Sequence, residues 1–412
     1  MTSRQDHLEQ NLRRYKVLAA IGFTPIMLPI IVLFWQECGI DMFDVFVLQV
    51  LFAVAVAVLE VPTGMVADRM GKRKSLLIGY SIMFVSFVAY AMSRDFWAFL
   101  SVEIALALGL TFISGAESAL LYDSLEQLDR KDEYKRREGE AMGIRMVCFA
   151  ICNLLGGFIG DWSFVAAMWA SAVGPGLSLF VVWGMVEAKP PAADETFRDA
   201  LEGYRKLITD AFKFIRRHRY IRWQILMFSV FSGSGTWLLW LYQPYMEFSG
   251  LDIWAFGVAF ALFNLFAALC SRHADAFDER LGENHANQTM MALQVAPLIL
   301  MAFFIGPASF LFILMHQAVR GFLHPITNER VLRFTYDDKR ATVLSLKSLG
   351  GRLFFVLTGS TIGWLSDTQP MPTVLLVQAL ALGAIFLGLM ALYRLIPKKY
   401  FLVKKGLEGD AS

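Results

Sequence analysis

Apolar residues fall along this chain in long runs, each closed by a short polar or charged clump. The runs are about 20 residues long, which matches the roughly 30 Å hydrocarbon core of a bilayer. Twelve are present, at 17–36, 45–66, 75–92, 97–121, 141–160, 163–186, 223–243, 253–272, 288–305, 308–327, 341–363 and 372–394. A segment in lipid must satisfy its own backbone polar groups, so each run predicts a helix. The first is not a signal peptide, because Trp35-Gln36-Glu37 follows it rather than a small-residue cleavage site. The pattern therefore predicts an all-α membrane protein with twelve transmembrane helices.

The longest polar interruption, 187–222, opens on Pro190-Pro191 and divides the runs six and six. The expected organisation is an N-terminal six-helix bundle over 1–186, a linker over 187–222, and a C-terminal six-helix bundle with a tail over 223–412. Within the linker, Phe197, Leu201, Tyr204, Ile208, Phe212 and Ile215 recur at three- and four-residue steps, with Lys and Arg on the other face. That is the stripe of an amphipathic helix lying on a membrane surface.

Composition agrees: 56% of the residues are hydrophobic and 18% charged, against about 25% charged in soluble proteins. The charges that remain are sorted by side. Basic residues crowd the N-terminus (Arg4, Arg13, Arg14, Lys16), the second interruption (Lys72, Arg73, Lys74), the fourth (Arg130, Lys131, Lys135, Arg136, Arg137), the linker and the tail (Lys398, Lys399, Lys404, Lys405). The alternate interruptions hold Arg94 as their one basic residue, with Asp41, Asp44, Asp161, Glu247, Asp252 and Asp367. Lys and Arg mark the cytoplasmic side, so both termini are expected there. Cys38, Cys148, Cys152 and Cys270 make no ligand or disulfide pattern, and no metal site, cofactor site or Gly-rich phosphate loop is found. Nothing points to a nucleic-acid partner, and a monomer is expected.

A short pattern recurs where the second run of each three-run group ends: Gly64-Met-Val-Ala67-Asp68, Gly157-Phe-Ile-Gly160-Asp161, Ser271-Arg-His-Ala274-Asp275 and Gly363-Trp-Leu-Ser366-Asp367. Successive copies cross the membrane in opposite directions, which is the trace expected of inverted three-helix repeats in transporters.

The stretch after the second run, Gly64 to Arg73, resembles the G-x-x-x-D-[RK]-x-G-[RK]-[RK] loop of the major facilitator superfamily, matching at Gly64, Asp68, Arg69, Gly71, Lys72 and Arg73. Asp275, Arg280 and Gly282 resemble a decayed second copy. "EVPTG" (Glu60–Gly64), "SGAESALLYDSL" (Ser114–Leu125) and "RATVLSLKSLGGRL" (Arg340–Leu353) are similar to one broad prokaryotic branch of that superfamily. The resemblance implies a secondary transporter, with Asp68 latching onto the N-terminus of the eleventh helix to close the cytoplasmic side, and Gly64 and Gly71 allowing close approach. It also implies that helices 1, 4, 7 and 10 line a central cavity. The G-P-x-x-G-G segment of many antiporters in this superfamily reads Cys152-Asn153-Leu-Leu-Gly156-Gly157, keeping only the paired glycines.

Charges within the runs are the candidate site, since an ionised side chain at mid-bilayer costs roughly 2.5–3.5 kcal/mol on insertion scales. In the tenth run His316, Arg320 and His324 are four apart and form one stripe, with Gln317 beside it. In the fourth, Glu103 and Glu117 lie within about 40° of one face. Either carboxylate is a candidate partner for Arg320 or a proton carrier, and Glu117, which lies within the Ser114–Leu125 segment, is equally a candidate structural gate residue. Arg352 lies deep in the eleventh run and should be paired. Lys347 and Arg145 lie nearer the cytoplasmic face, where long side chains snorkel. Trp237, Trp240, Tyr242 and Gln243 of the seventh run are candidates for the cavity wall, with anchoring at the membrane interface the alternative for the tryptophans.

These features predict a transporter in a prokaryotic cytoplasmic membrane. It is expected to move a small organic solute, anionic or zwitterionic because of its two deep arginines, by alternating access. No nucleotide-binding motif is present, so a gradient must supply the energy, and the intramembrane Glu and His favour the proton. A proton-driven efflux pump for amphiphilic compounds is the alternative. A sensor or scaffold that kept the fold without transporting is the alternative of another class.

Overall fold

The computed structural model describes residues 4–190, 209–210, 212–336 and 339–395. Among the described residues these α-helices carry the architecture: α1 (Arg4–Ile21), α2 (Ile31–Glu37), α3 (Met42–Met70), α4 (Lys72–Met92), α5 (Phe96–Gln127), α6 (Tyr134–Trp162), α7 (Phe164–Gly184), α8 (Arg219–Phe248), α9 (Ile253–Arg272), α10 (Ala274–Phe303), α11 (Ile313–Leu332), α12 (Arg340–Thr368) and α13 (Met371–Arg394). Among the described residues there is no strand. Ten of the helices are long and apolar enough to cross a membrane.

The other two predicted spans depart from that standard for identifiable reasons. The run at 17–36 holds Pro25 and Pro29, which lack the donor a continuing helix needs. The chain accordingly breaks between Ile21 and Leu28 and restarts as a 3₁₀ turn, Leu28–Ile30, leading into α2. Helices packed against the break accommodate it. The Met27 N–H donates to Ser171 Oγ of α7 at 2.9 Å. A Cβ on Gly156 of α6 would collide with the Ile26 carbonyl oxygen, and one on Gly174 of α7 with Thr24 Oγ1. The tenth run becomes a 3₁₀ turn at Pro307–Phe312 followed by α11, into which His316, Gln317, Arg320 and His324 bring four polar side chains.

Several acids at the interruptions are helix starters. Asp41 accepts from the Asp44 N–H at 2.8 Å, and Asp95 from those of Trp97 and Ala98 at 3.0 and 3.1 Å. Ser163 accepts from Ala166 at 3.2 Å. Each such cap contributes about 1 kcal/mol to its helix.

The described residues divide into two compact units, the first formed by those within 1–197 together with Asp252–Leu262, the second by those within 198–251 and from Phe263 onward. In the first, Leu12, Tyr15 and Ala19 of α1 pack with Leu121 and Leu125 of α5 and Ala141 of α6. In the second, Phe214 and Ile215 pack with Ile221, Val331 and Val343. Ile215 of the linker stripe is thus buried against protein, while Phe212 is exposed. Phe197, Leu201, Tyr204 and Ile208 lie outside the described residues, as do the tail lysines. Outward faces are apolar: Leu380 and Leu387, two turns apart on α13, are each 74% exposed, which fits a surface facing lipid and not water.

The charged turn between α3 and α4 depends on Gly71, whose φ of 95° and ψ of 148° lie in a region open essentially to glycine. The N–H groups of Lys72 and Arg73 donate to the Glu187 carboxylate, each at 3.0 Å, which satisfies the start of α4. Arg73 in return donates to the carbonyls of Val182 and Trp183 at the end of α7, at 3.4 and 2.8 Å. A Cβ at Gly71 would fall 2.5 Å from Glu187 Oε2. Gly64 differs, because a Cβ there would meet nothing within 4 Å; the close approach expected of both glycines is found at Gly71. Gly71→Ala is expected to lose about 1–3 kcal/mol of stability, seen as a lower Tm in detergent, whereas Gly64→Ala should leave Tm nearly unchanged.

Candidate functional site

The second unit encloses a cavity of about 190 Å³ between α8, α10 and α11. From α8, Ser232, Gly235, Thr236, Leu239 and Tyr242 face it, a stripe at three- and four-residue steps. Gln294 of α10 adds an amide. The stripe predicted on α11 supplies the opposite wall, with His316, Gln317, Arg320 and His324 all present. Among the described residues the lining contains no acidic side chain.

Arg320 is open to this cavity, and its guanidinium donates to Asn264 Oδ1 of α9 at 2.6 Å. Among the described residues it forms no ion pair. Around it are acceptors lacking a donor. His316 approaches the Gln294 carbonyl oxygen through Nε2 at 2.8 Å, leaving Nδ1 buried without a partner among the described residues. Gln317 donates to the Tyr242 hydroxyl at 3.2 Å, leaving its Oε1 likewise unpartnered. Burying such an atom unpaired costs about 1–3 kcal/mol. One wall therefore presents a fixed cation, with two idle acceptors buried beneath its surface.

The predicted tryptophans stand elsewhere. Trp237 donates to Thr358 Oγ1 at 3.0 Å and stacks on Phe354 of α12, and Trp240 and Gln243 are buried outside the cavity lining. Of that group Tyr242 lines the cavity, beside Thr236 and Phe231. Bulk drew attention to the tryptophans, whereas the legible signal was the small polar stripe through Ser232, Gly235 and Thr236. Arg352 is half-buried on α12, also outside the lining.

The two carboxylates of α5 are held within the first unit. Glu103, 4% exposed, accepts from the Tyr90 hydroxyl at 2.6 Å. Glu117 accepts from the Tyr80 hydroxyl and pairs with Arg145 of α6 at 2.7 Å. Arg145 also reaches the Tyr15 hydroxyl at 3.4 Å and Glu138 at 3.8 Å. It does not snorkel; it sits in a network spanning α1, α4, α5 and α6. Glu117 thus has a cationic partner other than the Arg320 expected for it, and Glu103 rests on a neutral hydroxyl.

Of the charged turn, Asp68 is paired with Lys72 at 2.8 Å, and its side chain is 62% exposed. Arg69, on the last turn of α3, is not free. Sequence reasoning missed Glu187, the residue that satisfies this turn. It also missed Arg330, 2% exposed, which donates to Asn287 Oδ1 at 2.7 Å and to Asp278, close to the decayed copy of the loop on α10. In that copy Gly282 repeats the left-handed geometry, with φ of 70° and ψ of 157°.

The helices carry lipid-compatible faces, and family membership together with transporters of similar fold makes this a multi-pass membrane transporter and not an enzyme. The chain belongs to the Major Facilitator Superfamily, whose family model matches residues 17–328. Among solved structures, a point mutant of the nucleoside transporter NupG superposes with a TM-score of 0.78 at 13% identity, covering 94% of this chain and all of that one. A bacterial homologue of the human lysosomal transporter Spinster, inward-facing and unoccupied, gives 0.68 at 14% identity, over 98% of this chain and 97% of that one. A D-xylose–proton symporter gives 0.63 at 12% identity, over 92% and 96%. No curated protein sequence matches the chain.

The Glu117–Arg145 pair has a clear energetic expectation. Arg145→Met strands a buried carboxylate and should cost about 3–5 kcal/mol. Adding Glu117→Gln should restore much of that loss, measured as Tm of the purified single and double variants.

Proposed function

We propose that this protein is a secondary active transporter that carries a small organic anion or zwitterion across a prokaryotic cytoplasmic membrane, driven by the proton gradient. Twelve spans in two six-helix bundles, built from inverted three-helix repeats, alternate access to the site. Both termini lie in the cytoplasm, in keeping with the basic interruptions. The observation that carries the reading is Arg320, a guanidinium open to the cavity and lacking an ionic partner among the described residues. Arginine cannot escape the cost of its charge by losing a proton, so an anionic group on the cargo is its natural partner. The idle acceptors on His316 and Gln317 add a preference for cargo that also donates hydrogen bonds.

Two proteins of similar fold, a nucleoside transporter and a D-xylose–proton symporter, move hydroxylated solutes, which is compatible with that preference. A cationic amphiphile, the alternative cargo, would meet Arg320 and no acid in this wall. Asp68 serves as the cytoplasmic latch: it forms a switchable exposed pair with Lys72 in this structure and caps the eleventh span when that side closes.

Ligand screening by thermal shift should identify anions that raise Tm, because a ligand bound by the folded state alone stabilises it. Arg320→Lys keeps the charge and loses the planar two-pronged donor, so affinity for such a ligand should fall at least about tenfold, and Arg320→Ala should abolish binding. Parental affinity in both correctly folded variants would make Arg320 structural. Transport should collapse on adding an uncoupler. Asp68→Asn should fold but transport poorly; normal rates in that variant would remove the latch.

A further inference from the structure

Behind the cavity wall lies a second cation that the transport site does not use. Lys347, two turns inside α12, does not snorkel: the residue is 1% exposed. Its Nζ donates to Thr327 Oγ1 at 3.2 Å and to Asn328 Oδ1, both of α11, and lies 3.9 Å from the centroid of the Phe228 ring of α8. Two oxygen acceptors and a ring face suit an ammonium with three donors. Among the described residues no carboxylate pairs with it. Of the helices packed against α12, α11 brings His324 within electrostatic reach, and α8 and α13 bring no acid or base to it among the described residues.

The arrangement is layered. His324 lines the cavity and meets the Phe228 ring edge-on at 5.0 Å between centroids, and Lys347 rests on that same ring. An ammonium held in a membrane protein without a counter-charge is costly, and lysine, unlike arginine, can relieve that cost by releasing its proton. Arg320 is thus the fixed cation of this wall and Lys347 the removable one.

From this geometry we propose that Lys347 holds the coupling proton, and that the protein is therefore a proton–anion symporter. The inference rests on the reading of an anionic, proton-coupled cargo. Its logic is linkage. An anion seated at Arg320 favours a protonated Lys347, and a protonated Lys347 favours the anion, by the same factor in each direction. Positive linkage of this kind makes the loaded form carry both. The chemistry is one N–H bond: water on one side of the membrane protonates the amine when the cycle exposes it there, and water on the other side takes the proton back.

The test is proton uptake by the purified full-length protein in weakly buffered detergent when 4-hydroxybenzoate is added. This probe joins a carboxylate for Arg320, a hydroxyl donor for the idle acceptors and a ring for Phe231 and Tyr242. Thermal shift reports its binding independently. The parent should bind the probe and take up about one proton per molecule bound under conditions where Lys347 starts neutral. Lys347→Gln should bind it more weakly, by about tenfold or more, and take up none. Lys347→Arg, which keeps the charge and guards against loss of folding, should bind it with no uptake and with an affinity that no longer changes with pH. Uptake persisting in both variants would overturn Lys347 as the carrier and leave proton coupling standing. Binding to the parent without any uptake would overturn proton coupling itself. Failure of the parent to bind the probe would overturn the anionic reading on which both depend.

Discussion

Hydrocarbon offers no hydrogen bonds, so each polar side chain inside these helices must be satisfied by another part of the protein. That constraint organises the molecule more than apolar packing does. It accounts for Glu117 lying on both Tyr80 and Arg145, for Glu103 on Tyr90, and for Arg330 between Asp278 and Asn287. It also makes exceptions informative. Where the wall of the second unit leaves Arg320 without a counter-ion and two acceptors without donors among the described residues, the proposed cargo supplies what is missing.

The two units solve the constraint differently. The first uses charged groups to join helices: Glu187 accepts from the backbone N–H of Arg73 and the Arg73 guanidinium donates to the Trp183 carbonyl, tying α4 to the end of α7, and Lys189 reaches Asp123 of α5 at 2.8 Å. The second leaves basic groups along one side of a cavity with no acid in its lining. A transporter that must grip an anion and then let it go benefits from that asymmetry, since a charge already paired inside the protein would compete with the solute.

Much of this was legible in the sequence. Ten of the runs are helices at nearly the expected places because their length and apolar content leave no other arrangement in lipid. The α11 stripe was legible because residues four apart share a face whatever surrounds them. What sequence could not supply was direction. Trp237 and Thr236 are neighbours in the chain, yet one turns to Phe354 and the other to the cavity; only the position of α12 decides between them. The same holds for Lys347 and Arg145, whose closeness to a helix end suggested snorkelling until partners on other helices drew them inward. Glu187 went unread because its role rests on a contact far away in sequence, with the two N–H groups that follow Gly71.

If residues 17–36 cross the membrane as their sequence predicts, the break within them bears on how the protein is made. While residues 17–36 enter the membrane, Gly156 and Gly174 have not yet been synthesised, and neither has Ser171, which satisfies the Met27 N–H. An open break facing lipid would expose backbone groups at several kcal/mol each. The segment must therefore insert in some other, self-satisfied form and be remodelled once α6 and α7 arrive beside it. For this stretch biogenesis and folding are separate events, and a residue too large at either glycine would spare the first while blocking the second.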